Sequence, residues 1–416
     1  MSILTRRGAM LGTASLLPAW TARAQTPAST NARTKPLKIG IMSDMSGPYA
    51  EASGPGDVVA ARLAIEDFGK QHPDVKVELI SGDMLLKPDI GAGMARDWYD
   101  QQGVDAIFDI PQSAVALAVG SIAKEKDKVV VFTSAGLTDI TGKYCTPNQI
   151  QWTYDLWANA NSVVEGLIAA GADTWYFILI DIVSGYGMTN DAAAAVKRLG
   201  GRELGRVAYP FPQTTDFSSQ LLQAKSSGAK VICLANAGDD TANCLKQAHE
   251  FGMMQSGLQF AALVMQDYIV RSVGLESAQD LVCTMPFVWN MNDATRAFAA
   301  RFQPLYHNAK PNYFHAGAYS AVTHYLKAAA AMGVDAAKAS GRAVVEQMKA
   351  MPVSDSLYGE GRVREDGKFV HSMSVWRTKT VAESTGDWDF FKLLRTIPAE
   401  QAFKTMAGGG CPLVKS

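Results

Sequence analysis

Short apolar segments alternate with helical segments along most of this chain, and this alternation limits the folds open to it. Residues 37–42 form the first apolar segment, which runs through a loop of small residues into a helix that Asp57 is expected to cap. Parallel strands require helical crossovers, so the alternation predicts parallel sheets covered by helices on both faces. A second series begins at Trp175. The sequence therefore predicts an α/β protein with two doubly wound, Rossmann-like lobes and a ligand cleft between them.

Apolar runs and helix-start residues give the expected order of the elements. Strands are predicted at residues 77–80, 106–110, 129–132, 175–180, 204–207, 231–235 and 260–264. Helices are predicted to start at Asp89 and to span residues 113–123, 188–199, 217–226, 240–251, 266–273, 293–306, 313–332 and 340–348. The last three helices are expected to complete one face of the first lobe. Residues 362–376 predict a β-hairpin around the turn Asp366-Gly367.

The composition is that of a globular protein. Hydrophobic residues make up 48% of the 416 positions and charged residues only 19%, so the chain has enough apolar side chains for sizeable cores. The net charge is −1, which gives no electrostatic reason to expect nucleic acid or an acidic membrane surface as a partner.

The first 24 residues have the pattern of an export signal. Arg6-Arg7 precede the short apolar segment 9–20, and Ala22-Arg23-Ala24 has the form of a cleavage site. The apolar segment is too short to span a bilayer, so membrane insertion is not expected. The arginine pair leaves both the twin-arginine route and the ordinary secretion route open. Residues 25–36 are predicted to be a disordered lead-in, and the mature protein is expected in the periplasm.

The five cysteines would then reach an oxidising compartment, where disulfides persist. Cys233 lies in an apolar strand and Cys244 on the following helix, so both are interpreted as small core residues. Cys145, in a loop, and Cys411, in the C-terminal tail, are better placed to be exposed, and we predict a disulfide between them. No cysteine spacing resembles a zinc site.

The sequence carries no recognisable catalytic motif. A Gly-x-Ser-x-Gly elbow, a His-Glu-x-x-His motif and a Walker loop are all missing from it. The six histidines lie at loops, element ends or within helices, and we interpret them as surface or structural residues. We therefore expect neither an enzyme nor a cofactor, and no metal site.

Polar residues instead recur where predicted strands end. Gln112 and Ser113 follow the strand 106–110, and Ser134, Ala135 and Gly136 follow the strand 129–132. Hydroxyl groups and free backbone N–H groups at helix starts suit an anionic group such as a carboxylate. The alternative is plain helix capping by Ser113 and a tight turn at residues 135–136.

Several segments together resemble a known family. The run IGIMSDMSGPYA followed by AARLAIEDF, and the later segments TSAGLTDITGKYCTPNQIQWTYD and HAGAYSAVTHYLKA, resemble type I periplasmic solute-binding proteins of the leucine/isoleucine/valine-binding family. The resemblance implies a monomer that captures a small molecule by closure of two lobes and delivers it to the membrane permease of an ABC importer. An extracytoplasmic sensor for a membrane receptor is the alternative that the sequence leaves open.

The resemblance also implies where the lobes begin and end. The chain is expected to cross between lobes near residues 151–154, 285–289 and 351–355. Residues 37–152 and 286–350 would then form the first lobe, residues 153–285 and 351–400 the second, and residues 401–416 a tail.

In this family the loops at residues 112–113 and 134–136 hold a ligand carboxylate. Tyr186 aligns with an aromatic residue that closes over the ligand, and further binding residues are expected at Tyr49, Tyr154, Asn236 and Trp289.

One feature departs from the family pattern. Binding proteins for α-amino acids need an acidic side chain for the ligand ammonium, but residues 182–185 before Tyr186 are Ile-Val-Ser-Gly, without the usual Asp. Asp181 and Asp239 remain possible substitutes. The sequence therefore favours an aromatic or branched aliphatic carboxylate over a free amino acid.

Overall fold

The computed structural model describes residues 35–414. The predicted export signal, residues 1–24, and the lead-in up to residue 34 lie outside the described residues. Within residues 35–414, none of the helices combines the length and the apolar character that crossing a membrane requires.

The first strand-helix series runs from residue 37 to residue 151. Its elements are β1 (Leu37–Ser43), α1 (Gly54–Gln71), β2 (Val77–Asp83), α2 (Pro88–Asp100), β3 (Ala106–Asp109), α3 (Ser113–Glu125), β4 (Val129–Phe132) and β5 (Gln149–Gln151). The strands pair in parallel in the order β2-β1-β3-β4-β5. Every residue of β3 and β4 is buried, because helices cover both faces of this sheet. We call this sheet and its helices the first lobe.

The second series builds a larger sheet. Its elements are α4 (Leu156–Ala169), β6 (Thr174–Ile180), α5 (Val183–Arg198), β7 (Arg202–Tyr209), α6 (Ser218–Ser226), β8 (Val231–Ala235), α7 (Asp239–Glu250), β9 (Gln259–Ala262), α8 (Asp267–Val273), α9 (Leu275–Ala278) and β10 (Val282–Met285). This sheet and its helices are the second lobe. The predicted α/β class with two parallel series is thereby confirmed.

The chain then returns to the first lobe. Its helices are α10 (Asp293–Phe302), α11 (Tyr313–Met332), α12 (Val334–Ala339) and α13 (Gly341–Ala350). Helices α10 and α11 pack on α1, and α13 packs on α11 and β4. The prediction that these helices complete a face of the first lobe is confirmed.

The last strands divide between two sheets. β11 (Val353–Asp355), β12 (Gly359–Val363) and β13 (Phe369–Val370) form a small antiparallel sheet. β14 (Met373–Thr378) and β15 (Phe391–Ile397) extend the second lobe, whose strand order is β15-β14-β10-β9-β8-β6-β7. Two short helices, α14 (Ala399–Ala402) and α15 (Met406–Gly409), follow.

The third passage between lobes differs from the expected position near residues 351–355. The predicted hairpin forms between β12 and β13, but its second strand stops at Val370, and the chain joins the second lobe from Met373. His371 lies at this break, and its Nε2 is 2.8 Å from the carbonyl oxygen of Thr153. The small sheet contacts the first crossing, since the N–H of Gln151 donates to the carbonyl of Gly367. The passage therefore lies at residues 371–372.

Several helices start earlier than predicted. Helix α5 begins at Val183 rather than at residue 188, so residues 184–187 lie in its first turn and not in a loop. Glycine is needed at residue 185 because the helix meets the carbonyl oxygen of Ile180 too closely for a Cβ atom. Asp57 and Asp89 do not cap α1 and α2, whose N-caps are Ser53 and Lys87.

The C-terminal tail is attached to the first lobe. Cys145, between β4 and β5, forms a disulfide with Cys411, with the two Cα atoms 5.6 Å apart. Cys233 and Cys244 are buried and unpaired, as expected for core residues.

Candidate functional site

A cavity of about 40 Å³ lies between the two lobes. Its polar lining residues are Tyr49, Ser113, Ser134, Tyr154, Ser184 and Gln266. Its apolar walls include Pro111, Leu156, Ile180, Met188, Val264 and Phe314. No acidic or basic side chain is among the described residues that line it. Two larger spaces, of about 310 and 220 Å³, lie beside it at the mouth of the cleft.

The sheet topology explains why these residues meet. Strands β1, β3 and β4 are parallel neighbours, so their carboxyl ends lie at one edge of the sheet. Tyr49, Ser113 and Ser134 each follow one of these strands. After β3 the backbone turns sharply, with φ values of 84° at Asp109 and 63° at Ile110, and this turn leads into α3.

Ser113 is the first residue of α3 and is buried against the cavity. Within residues 35–414, its hydroxyl group makes no hydrogen bond. The first N–H groups of a helix also have no acceptor within the helix, and the helix dipole places partial positive charge there. Ser113 therefore offers free hydrogen-bond donors to an anion in the cavity.

The loop after β4 is held by Tyr154. The Tyr154 hydroxyl donates to the carbonyl oxygen of Ser134 at 3.0 Å. A Cβ atom on Gly136 would lie 2.6 Å from the Tyr154 hydroxyl oxygen, so this position has room only for glycine. Burial raises the pKa of Tyr154 above its ordinary value, so the hydroxyl stays neutral. The backbone N–H groups of residues 134–136 make no hydrogen bond within the described chain and remain available to a ligand.

Ser134 itself donates its hydroxyl hydrogen to a carboxylate behind the loop. The acceptor is Oδ1 of Asp109, a fully buried residue at the end of β3. The hydroxyl of Ser134 is thus already used as a donor.

Tyr49 closes the cavity from the first lobe. Its backbone N–H donates to Asp44 at 2.8 Å, which fixes the loop. Its ring stacks on Phe211 of the second lobe with ring centroids 5.7 Å apart, so the lobes touch at this point. The Tyr49 hydroxyl makes no hydrogen bond with the described residues. Burial raises its pKa, so it is present as a neutral donor.

The second lobe adds an amide to the cavity wall. Gln266 follows β9 and is fully buried, and its Nε2 lies 3.3 Å from the hydroxyl of Tyr313 on α11. Its Oε1 has no partner within residues 35–414. The site thus combines donors on the first lobe with an amide and apolar walls on the second.

Comparison with known proteins decides the family. The family model described as "Periplasmic binding protein" matches residues 36–386. The chain belongs to the periplasmic binding protein family. Among curated proteins, none matches this chain.

Solved structures agree with this assignment. A periplasmic binding protein from Burkholderia mallei is 38% identical, with a TM-score of 0.86, over 91% of this chain and 99% of that one. A branched-chain amino acid ABC transporter periplasmic ligand-binding protein from Burkholderia xenovorans is 36% identical, with a TM-score of 0.81 over the same shares. A solute-binding protein from R. palustris in complex with benzoate shares the fold, with 17% identity and a TM-score of 0.77 over 91% and 100% of the two chains.

The chain is thus a periplasmic solute-binding protein of an ABC transporter and not an enzyme. The family implies a small-molecule ligand and a transporter permease as its partners. Within residues 35–414 there is no cluster of metal-ligating side chains.

Half of the binding residues expected from the sequence line the cavity of this binding protein. Tyr49, Ser113, Ser134, Gly136 and Tyr154 do so. Gln112 instead faces the two spaces at the mouth of the cleft. Ala135 is not among the residues that line the cavity, and its carbonyl oxygen accepts a hydrogen bond from the side chain of Gln151.

The other three expected residues lie away from the cavity. Tyr186 is 43% exposed, and its hydroxyl donates to Asp181 at 2.9 Å. Asn236 is buried and accepts a hydrogen bond from Thr241, which holds the loop before α7. Trp289 donates to the carbonyl oxygen of Trp388, and its ring lies 4.2 Å from the amine of Lys310.

Neither acid considered as an ammonium partner lines the cavity. Asp181 bonds to Tyr186 outside it. Asp239 is exposed at the start of α7, and only its neighbours Ala237 and Gly238 reach the cavity. Among the described residues that line the cavity, there is therefore no carboxylate ready to pair with a ligand ammonium.

The sequence reasoning missed Gln266, Met188 and Phe314. Gln266 follows the end of a strand. The rule that predicted Ser113, that ligand sites form at the carboxyl ends of parallel strands, would also have predicted Gln266. Met188 and Phe314 lie inside helices, where an apolar residue has no feature that separates a cavity wall from a core contact.

Proposed function

We propose that this protein captures a small carboxylate with an apolar or aromatic body between its lobes and delivers it to an ABC importer. The observation that carries the proposal is a cavity with free hydrogen-bond donors on the first lobe and no charged side chain among its described lining residues.

The donors favour an anion. Ser113 supplies a free hydroxyl and the start of a helix, the loop at residues 134–136 supplies backbone N–H groups, and Tyr49 supplies a second hydroxyl. Each hydrogen bond to a charged group contributes roughly 1.5 to 3 kcal/mol. A carboxylate has two oxygens that accept several such bonds at once.

The described residues that line the cavity include no acidic side chain, and this disfavours a free amino acid as the ligand. An ammonium group buried without a carboxylate partner costs several kcal/mol. A ligand that lacks the ammonium avoids that cost. Benzoate bound to the protein from R. palustris is an acid of this kind, whereas the relative from Burkholderia xenovorans is named for branched-chain amino acids.

The size of the cavity supports lobe closure. One buried water needs roughly 10–15 Å³, so about 40 Å³ accommodates a carboxylate and a few further atoms. A larger ligand requires the lobes to move apart, and the direct contact between Tyr49 and Phe211 across the cleft would then break. We infer that ligands enter when the lobes open and that contacts from both lobes favour the closed state.

A thermal-shift screen tests the proposal. Amino acids, aromatic acids, branched aliphatic acids and their amides are added to the purified mature protein, and hits are measured by calorimetry. We expect carboxylates without an ammonium group to stabilise the protein and the amides to fail. Stabilisation by amides as strong as that by the acids would contradict the assignment of an anion site. Chemical turnover of a bound compound would contradict a binding function.

A further inference from the structure

Two carboxyl groups lie buried behind the ligand cavity. Asp109 ends β3, and its Oδ1 accepts the hydroxyl hydrogen of the lining residue Ser134. Asp57, in the first turn of α1, faces Asp109. Both side chains are fully buried. Within residues 35–414, Oδ2 of Asp109 and both carboxyl oxygens of Asp57 have no hydrogen-bond partner.

No cation of the described residues balances the charge of this pair. Within the described chain, no lysine, arginine or histidine forms an ion pair with Asp57 or Asp109. Two adjacent buried carboxyl groups cannot both ionise without a large cost, so the pair keeps at least one proton near neutral pH. The pKa of Asp57 lies well above its ordinary value because of burial and of the neighbouring Asp109. Asp57 therefore holds that proton.

We propose that Asp109 is a positioning residue for Ser134 and that it makes the binding of a carboxylate take up a proton. This inference rests on the proposed function, because it requires an anion in the cavity.

The positioning follows from the direction of one hydrogen bond. Because Ser134 donates to Asp109, its Oγ offers only lone pairs to other neighbours. A ligand carboxylate must then accept hydrogen bonds from the backbone N–H groups of the loop and from Ser113. This places the carboxylate next to Ser134, the residue that contacts Asp109. The fixed hydroxyl holds the loop in the conformation that presents those N–H groups.

The proton uptake follows from charge repulsion. Burial raises the pKa of Asp109 to about 6, while the hydrogen bond from Ser134 opposes that rise. Asp109 is then mostly ionised at pH 7. A second negative charge beside Ser134 favours the protonated form of Asp109 and raises its pKa further. The complex therefore binds a proton from solvent that the free protein lacks, and affinity for the anion falls as the pH rises through about 6.

The other titratable groups near the pair stay neutral in this range. Burial lowers the pKa of His315, on α11 beside Gly56, to about 3. Burial raises the pKa values of Tyr154, Tyr306 and Tyr358 above their ordinary value. Among the groups around the pair, Asp109 is thus the one that changes its charge between about pH 5.5 and about pH 8. On the second lobe, burial also raises the pKa of Asp267, next to Gln266, to about 7, so the comparison with Asp109→Asn separates the two groups.

Calorimetry with benzoate and 4-methylpentanoate as probes tests the linkage. Binding to the mature protein is measured between about pH 5.5 and about pH 8, in buffers of different ionisation enthalpy. We expect proton uptake near pH 7 and a Kd that rises with pH, by up to about tenfold per unit where uptake is complete. Asp109→Asn keeps an acceptor for Ser134 and should abolish the pH dependence. Asp57→Asn leaves Asp109 in place and should retain it.

Carboxyl carbon NMR of the ligand-free protein tests the pair without any ligand. Asp109 should titrate well above an ordinary aspartate, and Ser134→Ala should raise its pKa further because a hydrogen bond to the ionised form is lost. An ordinary pKa at Asp109, or anion binding whose pH dependence survives Asp109→Asn, would overturn the inference. If neither probe binds, the proposed function has failed, and the NMR titration still decides whether the pair exists.

Discussion

At the scale of single residues, we expect carboxylate binding to depend most on the donor Ser113. It lines the cavity at the start of α3, and within residues 35–414 its hydroxyl has no other partner. We predict that Ser113→Ala weakens carboxylate binding by about tenfold or more, since a hydrogen bond to a charged group contributes roughly 1.5 to 3 kcal/mol. Calorimetry with the tightest acid from the screen measures the change. Ser121→Ala, an exposed position on the same helix, is the matched control. Equal affinity in both variants would remove Ser113 from the site.

Asp57 shows what residue patterns leave undecided. An aspartate after Gly-Pro-Gly is a common N-cap, and the sequence analysis placed it there. In the structure Pro55 lies in the first helical turn, Ser53 is the N-cap and Asp57 points into the interior. Proline near a helix start was a usable signal for the earlier boundary. The neighbour of the buried Asp57 carboxyl group is Asp109, 52 residues away in sequence, and no local pattern predicts that contact.

At the scale of single elements, the start of α5 depends on Gly185. A Cβ atom there would overlap the backbone carbonyl oxygen of Ile180, which cannot move without distorting β6. We predict that Gly185→Ala lowers the free energy of unfolding by roughly 1–3 kcal/mol, as overpacking does. Gly187→Ala, in the same turn, meets only the end of the Leu137 side chain at 3.1 Å and should change stability little. Urea denaturation of both variants measures this. Similar losses for the two would show that α5 does not start at Val183.

Predictability differed between elements for physical reasons. Strands that are buried on both faces have continuous apolar runs. One of them is β8, whose predicted bounds, residues 231–235, agree with the observed ones. The stretch at residues 369–376 was predicted as one strand of the hairpin, yet it serves two sheets. Its break at His371 depends on a contact with Thr153 of the first crossing, which the local sequence does not encode. For the same reason the third crossing was expected too early.

The cavity was predictable where strand ends form it and not elsewhere. Ser113, Ser134 and Gly136 follow parallel strands, and that rule of topology was sufficient to name them. Tyr186 was expected over the ligand because it aligns, by resemblance, with an aromatic residue of the family that closes over the ligand. As a residue in the first turn of α5 it points outward to Asp181 instead.

At the scale of the whole molecule, the tail links the two lobes covalently. It leaves the second lobe after β15 and passes the small sheet, where the ring of Phe403 lies 4.5 Å from the buried amine of Lys368. It then joins the first lobe through Cys411 and Cys145. This disulfide adds a connection between the lobes beyond the crossings of the main chain.

We predict that removing this link lets the ligand-free protein open further. The double variant Cys145→Ser, Cys411→Ser should have a larger radius of gyration without ligand, and it should lose about 2–4 kcal/mol of stability. Small-angle scattering and denaturation measure the two effects, with the reduced wild-type protein as a comparison. A variant that loses stability while its radius of gyration stays the same would show that the tail does not limit opening.

At this scale, we propose above all that the protein holds a carboxylate between its lobes without a partner for an ammonium group. The most direct test is calorimetry with 4-methylpentanoate and leucine, which differ only in the ammonium group. Because a buried ammonium without a partner costs several kcal/mol, we predict that 4-methylpentanoate binds about a hundredfold or more tightly than leucine. Tighter binding of leucine would contradict the claim and would require an acidic partner for the ammonium, with Asp181 or Asp239 as the candidates.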